Sequence, residues 1–385
     1  MKNISKFLLV FIFLAPVAYA DEIEEGLKAL NRGDYKAAFE IWEPLAEKGN
    51  STAQFNLGLM YDKGDGVRQN FPKAVKWYRL AAKQRNVSAQ FNLGFMYYNG
   101  EGVARDYERA LKWYLYAARQ GNIGAQFNLG WMFDKGEGVT SNYKRAIKWY
   151  RLAAKHGHAG AQFNLGLMYD KGERVTRDFD RALKLFLKAG NLGNVDAQLK
   201  LARIYDEGMD VTQNIQKAVK WYKLSAKQGR VKAQLRLARI YDKGDRVKKN
   251  FDYAVKWYKA AAKNGKREAQ SRLGMIYTQG SKKDYSKAFK WFRRAAKRGD
   301  ANAQFHLGRL YEAGDGIDKN LERAAKWYHM AADQNHSKAQ ANLGWMYING
   351  AGVKEDLDEA ENGTKGLKVQ KNTLGKKPVI NNSYN

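Results

Sequence analysis

The sequence predicts an all-α solenoid, a fold in which short helical units of one length stack in a row. The first observation is an Ala-Gln pair that occurs nine times, with successive steps of 36 residues six times, then 34, then 36. A fixed period of this size is typical of solenoids. The second observation is that apolar residues within each period recur at helical spacing. The third is that 21–365 shows no sustained period-two alternation, so nothing there favours β-strands.

Composition narrows the functional classes. The chain has 385 residues, of which 44% are apolar and 28% charged, so it has enough apolar material for a core. It contains no cysteine, which excludes disulfides, thiolate zinc sites, iron–sulfur clusters and a cysteine nucleophile. The 68 Lys and Arg against 39 Asp and Glu give a net charge of +29. A positive field of this size favours anionic partners without specifying a fold.

The first element, 1–20, has the form of a secretory signal peptide. Two lysines precede an apolar run of about 11 residues, which ends at the small-residue cleavage site Ala18-Tyr19-Ala20. The run is shorter than the roughly 20 residues of a spanning helix, although an uncleaved anchor is the alternative. We therefore expect an exported bacterial protein, periplasmic or secreted, with no transmembrane span after cleavage.

The repeated unit reads as two helices. Ala53, Leu57 and Met60 fall on one face of the first helix, helix A, which is expected to end at Gly64. A loop then leads to Asn70, a predicted N-cap of the second helix, helix B. The aromatic residues of helix B, such as Trp77 and Trp221, are expected in the core. The same N-cap is predicted in the other repeats at Asp106, Asn142, Asp178, Asn214, Asn250, Asp284, Asn320 and Asp356.

The pattern AQFNLGLMYDKGDGV…A…WY…AA resembles the Sel-like repeat (SLR) family, a relative of the tetratricopeptide repeat. The resemblance covers roughly 53–356 and implies antiparallel helix pairs in a right-handed superhelix. It also implies a scaffold or adaptor role, commonly in bacterial envelopes and host contact, or in eukaryotic ER quality control. The resulting domain order is a signal peptide (1–20), a tetratricopeptide-like capping pair (21–52), eight Sel-like repeats (53–338), a degenerate repeat (339–367) and a disordered basic tail (368–385).

Catalysis is the first alternative to a scaffold. Ser141 and Lys144 form a Ser-x-x-Lys motif, and a cysteine-rich branch of the Sel-like family is linked to penicillin binding and β-lactam hydrolysis. The other elements of a serine β-lactamase, Ser-Asp-Asn and Lys-Thr-Gly, are missing from the sequence. A metal contact through His156 and His158 is a weaker alternative to an exposed turn. We expect no catalysis, no cofactor, no metal site and no nucleic-acid partner.

A column of lysines on helix B is the first candidate surface. One lysine precedes the Trp-Tyr position in each of eight repeats, and we call these residues the lysine column. Such a column is either a solvated face or a surface that adheres to an anionic envelope component. Its members are Lys76, Lys112, Lys148, Lys184, Lys220, Lys256, Lys290 and Lys326.

A variable position on helix A is the second candidate surface. By resemblance to tetratricopeptide repeats, the Phe55, Leu59 and Asp62 positions point toward a concave groove. The Leu59 position varies most between repeats, so it is freest of packing constraints and is the candidate contact for a protein or peptide ligand, possibly acidic. Its candidate binding residues, which we call the variable column, are Phe95, Trp131, Arg203, Arg239, Arg309 and Trp345.

Overall fold

A computed structural model describes residues 11–172, 175–244, 246–279 and 283–363, with backbone alone for 11–19 and 361–363. The predicted tail, 368–385, and the first ten residues of the predicted signal lie outside this part of the chain. All regular elements of the described residues are helices, which confirms the predicted all-α class. They are α1 (Phe11–Asn31), α2 (Tyr35–Glu47), α3 (Ser51–Lys63), α4 (Phe71–Lys83), α5 (Val87–Asn99), α6 (Tyr107–Arg119), α7 (Ile123–Lys135), α8 (Tyr143–Lys155), α9 (Ala159–Lys171), α10 (Phe179–Asn191), α11 (Val195–Glu207), α12 (Ile215–Lys227), α13 (Val231–Lys243), α14 (Phe251–Lys263), α15 (Arg267–Tyr277), α16 (Tyr285–Ala296), α17 (Ala301–Ala313), α18 (Leu321–Ala332), α19 (Ser337–Ile348) and α20 (Leu357–Gly363).

The helices form two compact units. The first spans Met1–Ala197 and the second Gln198–Asn385, so the division falls inside α11. Within each unit, the A and B helices of a repeat pack on each other, and helix B also packs on the next helix A. In the first unit, for example, α3 packs on α4 and α4 on α5. In the second, α13 packs on α14 and α14 on α15. Helix pairs therefore stack in sequence order within each unit, as the 36-residue period predicts.

Local signals set the helix ends. Gly64 follows helix α3 with φ of 81°, a left-handed conformation, and its N–H donates to the Met60 carbonyl at 2.8 Å. The Asn70 side chain accepts a hydrogen bond from the Lys73 backbone N–H at 2.9 Å and thereby caps α4. The same side-chain cap is present at all the other predicted N-cap positions, which confirms that prediction.

In most helix pairs an aromatic ring of helix B packs against a glycine of helix A, and Ala202 and Ala238 take the place of the glycine in two pairs. Tyr78 of helix α4 is fully buried, and a Cβ atom on Gly58 of α3 would lie only 2.6 Å from its ring. The Trp that directly precedes this ring in the sequence is not buried to the same extent in every repeat. Trp221 is 5% exposed, which confirms its predicted place in the core, whereas Trp77 is only half-buried. The small residues thus allow the close helix approach that the sequence indicates.

Candidate functional site

The variable column of the first unit is aromatic and reaches the surface. Phe95 of α5 is 44% exposed, so nearly half of this large apolar side chain is in contact with solvent. Trp131 occupies the same position on α7 and is half-buried. The structure therefore places both residues on the A helices of adjacent repeats, with at least part of each ring open to solvent.

Trp131 forms one wall of a cleft of about 430 Å³. Helices α7, α8 and α9 together enclose it. Ile147 of α8 and Leu167 of α9 supply further apolar surface, and Lys135 and Lys171 carry charge at the lining. Leu167 is the next member of the Leu59 position after Trp131, so two successive repeats contribute the variable residue to one cavity. This volume lies within the range of pockets that bind small ligands or side chains.

The residue at the Asp62 position differs between the repeat before the cleft and the repeat that lines it. In the preceding repeat, Tyr98 places its ring 5.2 Å from that of Tyr107, and its hydroxyl donates to Glu137 at 2.6 Å. The equivalent residue one repeat on is Asp134, and both Asp134 and Tyr143, the counterpart of Tyr107, line the cleft. Tyr98 departs from the commonest residue at this position, Asp, which is also found at Asp62, Asp170, Asp206 and Asp242.

Trp131 is contacted on its ring face by a cation. Near it, burial together with the bond to Glu137 raises the pKa of Tyr98 to about 12. The Lys135 ammonium lies 4.9 Å from the centre of the indole ring, within the range of a cation–π contact. An aromatic wall fixed in this way loses little conformational entropy when a ligand packs against it.

The variable column of the second unit carries charge in its middle. Arg203 is exposed and its Nε lies 3.2 Å from Glu207 Oε1, one turn along the same helix. Arg239 is exposed and donates to both carboxylate oxygens of Glu268, with Nε to Oε1 at 2.7 Å. Both arginines therefore already hold a carboxylate at the surface. Arg309 and Trp345, the remaining members, are half-buried.

The Asp62 position does not line a groove throughout, which corrects the sequence-based expectation. Asp206 and Asp242 are each 3% exposed. Asp206 accepts hydrogen bonds from the hydroxyl of Tyr222 at 3.0 Å and from Nε of Arg236 at 2.6 Å. Burial alone would raise the pKa of Asp206, but the hydrogen bonds and charge of Arg236 outweigh burial and hold that pKa below its ordinary value.

Sequence reasoning missed the half-buried arginines of this network. Arg236 and Arg272 occupy the Asn56 position, and each bonds an aspartate 30 residues earlier in the chain. In one repeat with Asn at that position the amide bonds the core tyrosine instead: Asn164 Nδ2 donates to the Tyr150 hydroxyl at 3.2 Å. The signal was present as a change from Asn to Arg at a regular position, but its partner becomes visible only when neighbouring repeats are stacked.

The lysine column is exposed along its whole length. All eight lysines are exposed, and no ion pair of theirs is found in the part of the chain that the structure describes. Three of them rest on the adjacent Trp ring, with Nζ 5.4 Å from the ring centre for Lys76, 5.9 Å for Lys220 and 5.4 Å for Lys256. The first unit presents Lys76, Lys112, Lys148 and Lys184, and the second presents Lys220, Lys256, Lys290 and Lys326.

Among the residues considered for catalysis or metal binding, Ser141 and Lys144 are exposed and His158 caps a helix. Ser141 is exposed in the loop before α8, and Lys144 is exposed in its first turn. The His158 ring is an N-cap: its Nδ1 accepts from the Ala161 N–H at 3.1 Å, and the ring stacks on Phe127 at 4.3 Å. No group of three or more His, Asp or Glu able to hold a metal occurs in the described residues. Within the same residues, no helix combines the length and apolar character needed to cross a bilayer.

Comparison with known proteins identifies the repeat. A family profile described as Sel1 repeat matches ten times, at residues 17–50, 51–86, 87–122, 123–158, 159–194, 195–229, 231–266, 267–300, 301–336 and 337–362.

Two solved structures are similar over much of the chain. One is a protective antigen of uropathogenic Escherichia coli with an SLR fold, at 39% identity and a TM-score of 0.64, covering 89% of this chain and 75% of that one. The other is a Sel1 repeat protein from Oxalobacter formigenes, at 36% identity and a TM-score of 0.59, covering 63% of this chain and 99% of that one.

Curated relatives match over a short segment. The DAP3-binding cell death enhancer 1 proteins of Rattus norvegicus and Mus musculus are 40% and 38% identical over 50 residues. That segment is 13% of this chain and 10% of the length of each relative.

Proposed function

Because the chain belongs to the Sel1 repeat family, we propose that it is an exported, non-catalytic scaffold that binds other proteins along the variable column of its A helices. The observation that carries the proposal is the cleft at Trp131, where a solvent-accessible aromatic ring of this column lines a cavity. Aromatic and arginine side chains dominate protein-binding hot spots, and the column consists of these types. Sel1 repeat proteins are generally non-catalytic scaffolds, and the repeat fold is consistent with interaction with other proteins.

Export is part of the proposal. It is supported by the Ala18-Tyr19-Ala20 cleavage site after a short apolar run. The description of one solved neighbour as a protective antigen supports it further, because protective antigens are reached by the host. Intact-mass measurement of the exported protein should find Asp21 at its N-terminus. A mature chain that still begins with Met1 would rule out this route.

Site-specific crosslinking in cells tests the binding face. A photo-crosslinking amino acid at position 131 is compared with one at position 116, where Tyr116 is 39% exposed on the B helix α6. The proposal predicts that position 131 captures a protein that position 116 does not. Capture of the same proteins from both positions, or only from position 116, would contradict it.

Adhesion to an anionic surface is a second candidate function. The eight exposed lysines of the lysine column, without ion pairs among the described residues, support it. Charge-driven binding weakens steeply with salt because surface charges are screened. Binding to phosphatidylglycerol vesicles should therefore fall between low and physiological salt, and converting Lys220 and Lys256 to Ala should weaken it. Binding that is insensitive to both changes would exclude this function.

A further inference from the structure

The cleft at Trp131 has the features of a pocket for one large side chain, an inference that rests on the proposed binding function. Its apolar lining includes Trp131, Ile147 and Leu167, on three consecutive helices, together with Met168 and Val175. Its volume of about 430 Å³ exceeds what a single methyl group could fill. Offset or edge-on contact between aromatic rings is favourable, and Trp131 and Tyr143 both offer a ring at the lining.

The charge of the lining favours acidic neighbours. Lys135, Lys171 and Asp134 all line the cleft. The Asp134 carboxylate lies 3.1 Å from Lys135 Nζ and its side chain is only 18% exposed, whereas that of Lys135 is 46% exposed. The lining therefore carries two cations and one carboxylate, and the more exposed member of the Asp134–Lys135 pair is the lysine. A chain with a net charge of +29 also repels basic segments.

We propose that the cleft binds an aromatic side chain of a partner protein, carried on a peptide segment whose flanking residues are carboxylates. The aromatic ring packs between Trp131 and Leu167, and the flanking carboxylates face Lys135 and Lys171. The Lys135 ammonium lies 4.9 Å from the centre of the Trp131 indole ring, and this cation–π contact favours one orientation of the ring. Binding energy is concentrated in the ring, while the carboxylates provide attraction and orientation.

Three fluorescein-labelled peptides test the proposal by anisotropy on the mature full chain. Their central sequences are Glu-Phe-Glu, Glu-Ala-Glu and Lys-Phe-Lys within one Gly-Ser frame. The first should bind about tenfold more tightly than the second, because burial of a Phe side chain is lost with Ala. The first should also bind more tightly than the third, because the third places like charge beside the lysines.

A cleft-filling variant locates the effect. Asp134→Tyr introduces at this position the residue that the preceding repeat carries as Tyr98. It should abolish the preference for Phe over Ala. The control is Asp62→Tyr, the same substitution at the same position two repeats earlier, which should keep that preference. Both variants should retain the helical far-UV circular dichroism spectrum, and Trp131→Ala serves as a second variant if Asp134→Tyr fails to fold.

The outcomes separate this inference from the function on which it rests. Equal binding of the Phe and Ala peptides, tighter binding of the Lys-Phe-Lys peptide, or a preference that survives both Asp134→Tyr and Trp131→Ala would overturn the ligand class. If crosslinking from position 131 still captured a protein in that case, the scaffold function would stand and only the aromatic-acidic ligand would be wrong.

Discussion

At the scale of single residues, two histidines occupy a cap position that five other repeats give to Asn or Asp. His158 and His336 each accept the N–H of the third helical residue through Nδ1, at 3.1 and 3.2 Å. Each ring also stacks on a Phe of the preceding repeat, at 4.3 Å on Phe127 and 4.7 Å on Phe305. A protonated imidazole carries N–H groups on both nitrogens, so it cannot serve as this acceptor.

These caps predict a loss of stability in mild acid. Burial lowers the pKa of His158 and of His336 below the ordinary value of about 6.5. A group with a lowered folded-state pKa stabilises the protein above its unfolded pKa, and that stability is lost as the pH falls below about 6.5. His306 adds to the effect, because burial lowers its pKa to about 3. The charge of Lys338 lowers the pKa of His336 further, whereas the charge of Asp300 raises it.

The measurement is urea unfolding of the wild type and of the double variant His158→Asn, His336→Asn at pH 7.5 and pH 5. Asn keeps a cap acceptor and does not titrate. The wild type should lose more unfolding free energy between the two pH values than the double variant does. Identical pH dependence in both proteins would show that the cap histidines do not contribute.

The buried aspartate of the second unit provides another test at the same scale. Removing Arg236 takes away the closest cation of the Asp206 carboxylate, which is 3% exposed and keeps the hydrogen bond from Tyr222 and the charge of Arg246 at 4.0 Å. Breaking a buried ion pair costs about 3–5 kcal/mol, and the 38% exposure of the Arg236 side chain reduces this to about 2–3 kcal/mol for Arg236→Ala. Arg236→Asn, which restores the residue of repeats such as that of Asn164, should cost less in the same unfolding experiment. An alanine variant as stable as wild type would contradict the network.

At the scale of the helix pair, the sequence predicts the local features well. Helix ends such as Gly64 and caps such as Asn70 depend on a few neighbouring residues, so they can be predicted from the sequence pattern. The cleft cannot be predicted in this way, because its lining combines Trp131 and Tyr143 of one repeat with Leu167 of the next. The pairing of Arg236 with Asp206 was missed for the same reason: the two residues are 30 positions apart.

Core aromatic residues should stabilise their own neighbourhood. Trp221→Ala truncates a side chain that is 5% exposed in helix α12, and such a cavity costs about 3–5 kcal/mol. The equivalent change at the half-buried Trp77 should cost less. Hydrogen exchange should increase first in α12 and its packed neighbour α13. A Trp221→Ala protein with unchanged exchange would contradict the local role of this residue.

At the scale of the whole molecule, stability should behave as a sum over repeats and their nearest-neighbour contacts. Deleting one period, residues 125–160, joins the first two residues of α7 to the rest of α9. One complete helix A therefore still follows helix α6, and the stacking pattern is kept. The shortened protein should remain helical by circular dichroism and melt cooperatively. An insoluble or molten product would contradict the repeat architecture as the source of stability.

The central claim is that a partner protein binds the variable column and not the lysine column. The direct measurement is the affinity of the protein captured from position 131 for two double variants in the same repeats: Phe95→Ala with Trp131→Ala, and Lys112→Ala with Lys148→Ala. All four side chains are at least partly exposed, so both variants should keep the wild-type far-UV spectrum. The account predicts that the aromatic pair weakens binding tenfold or more, as hot-spot truncation does, while the lysine pair leaves it nearly unchanged. Loss of binding with the lysine pair and retention with the aromatic pair would place the site on the lysine column and contradict the account.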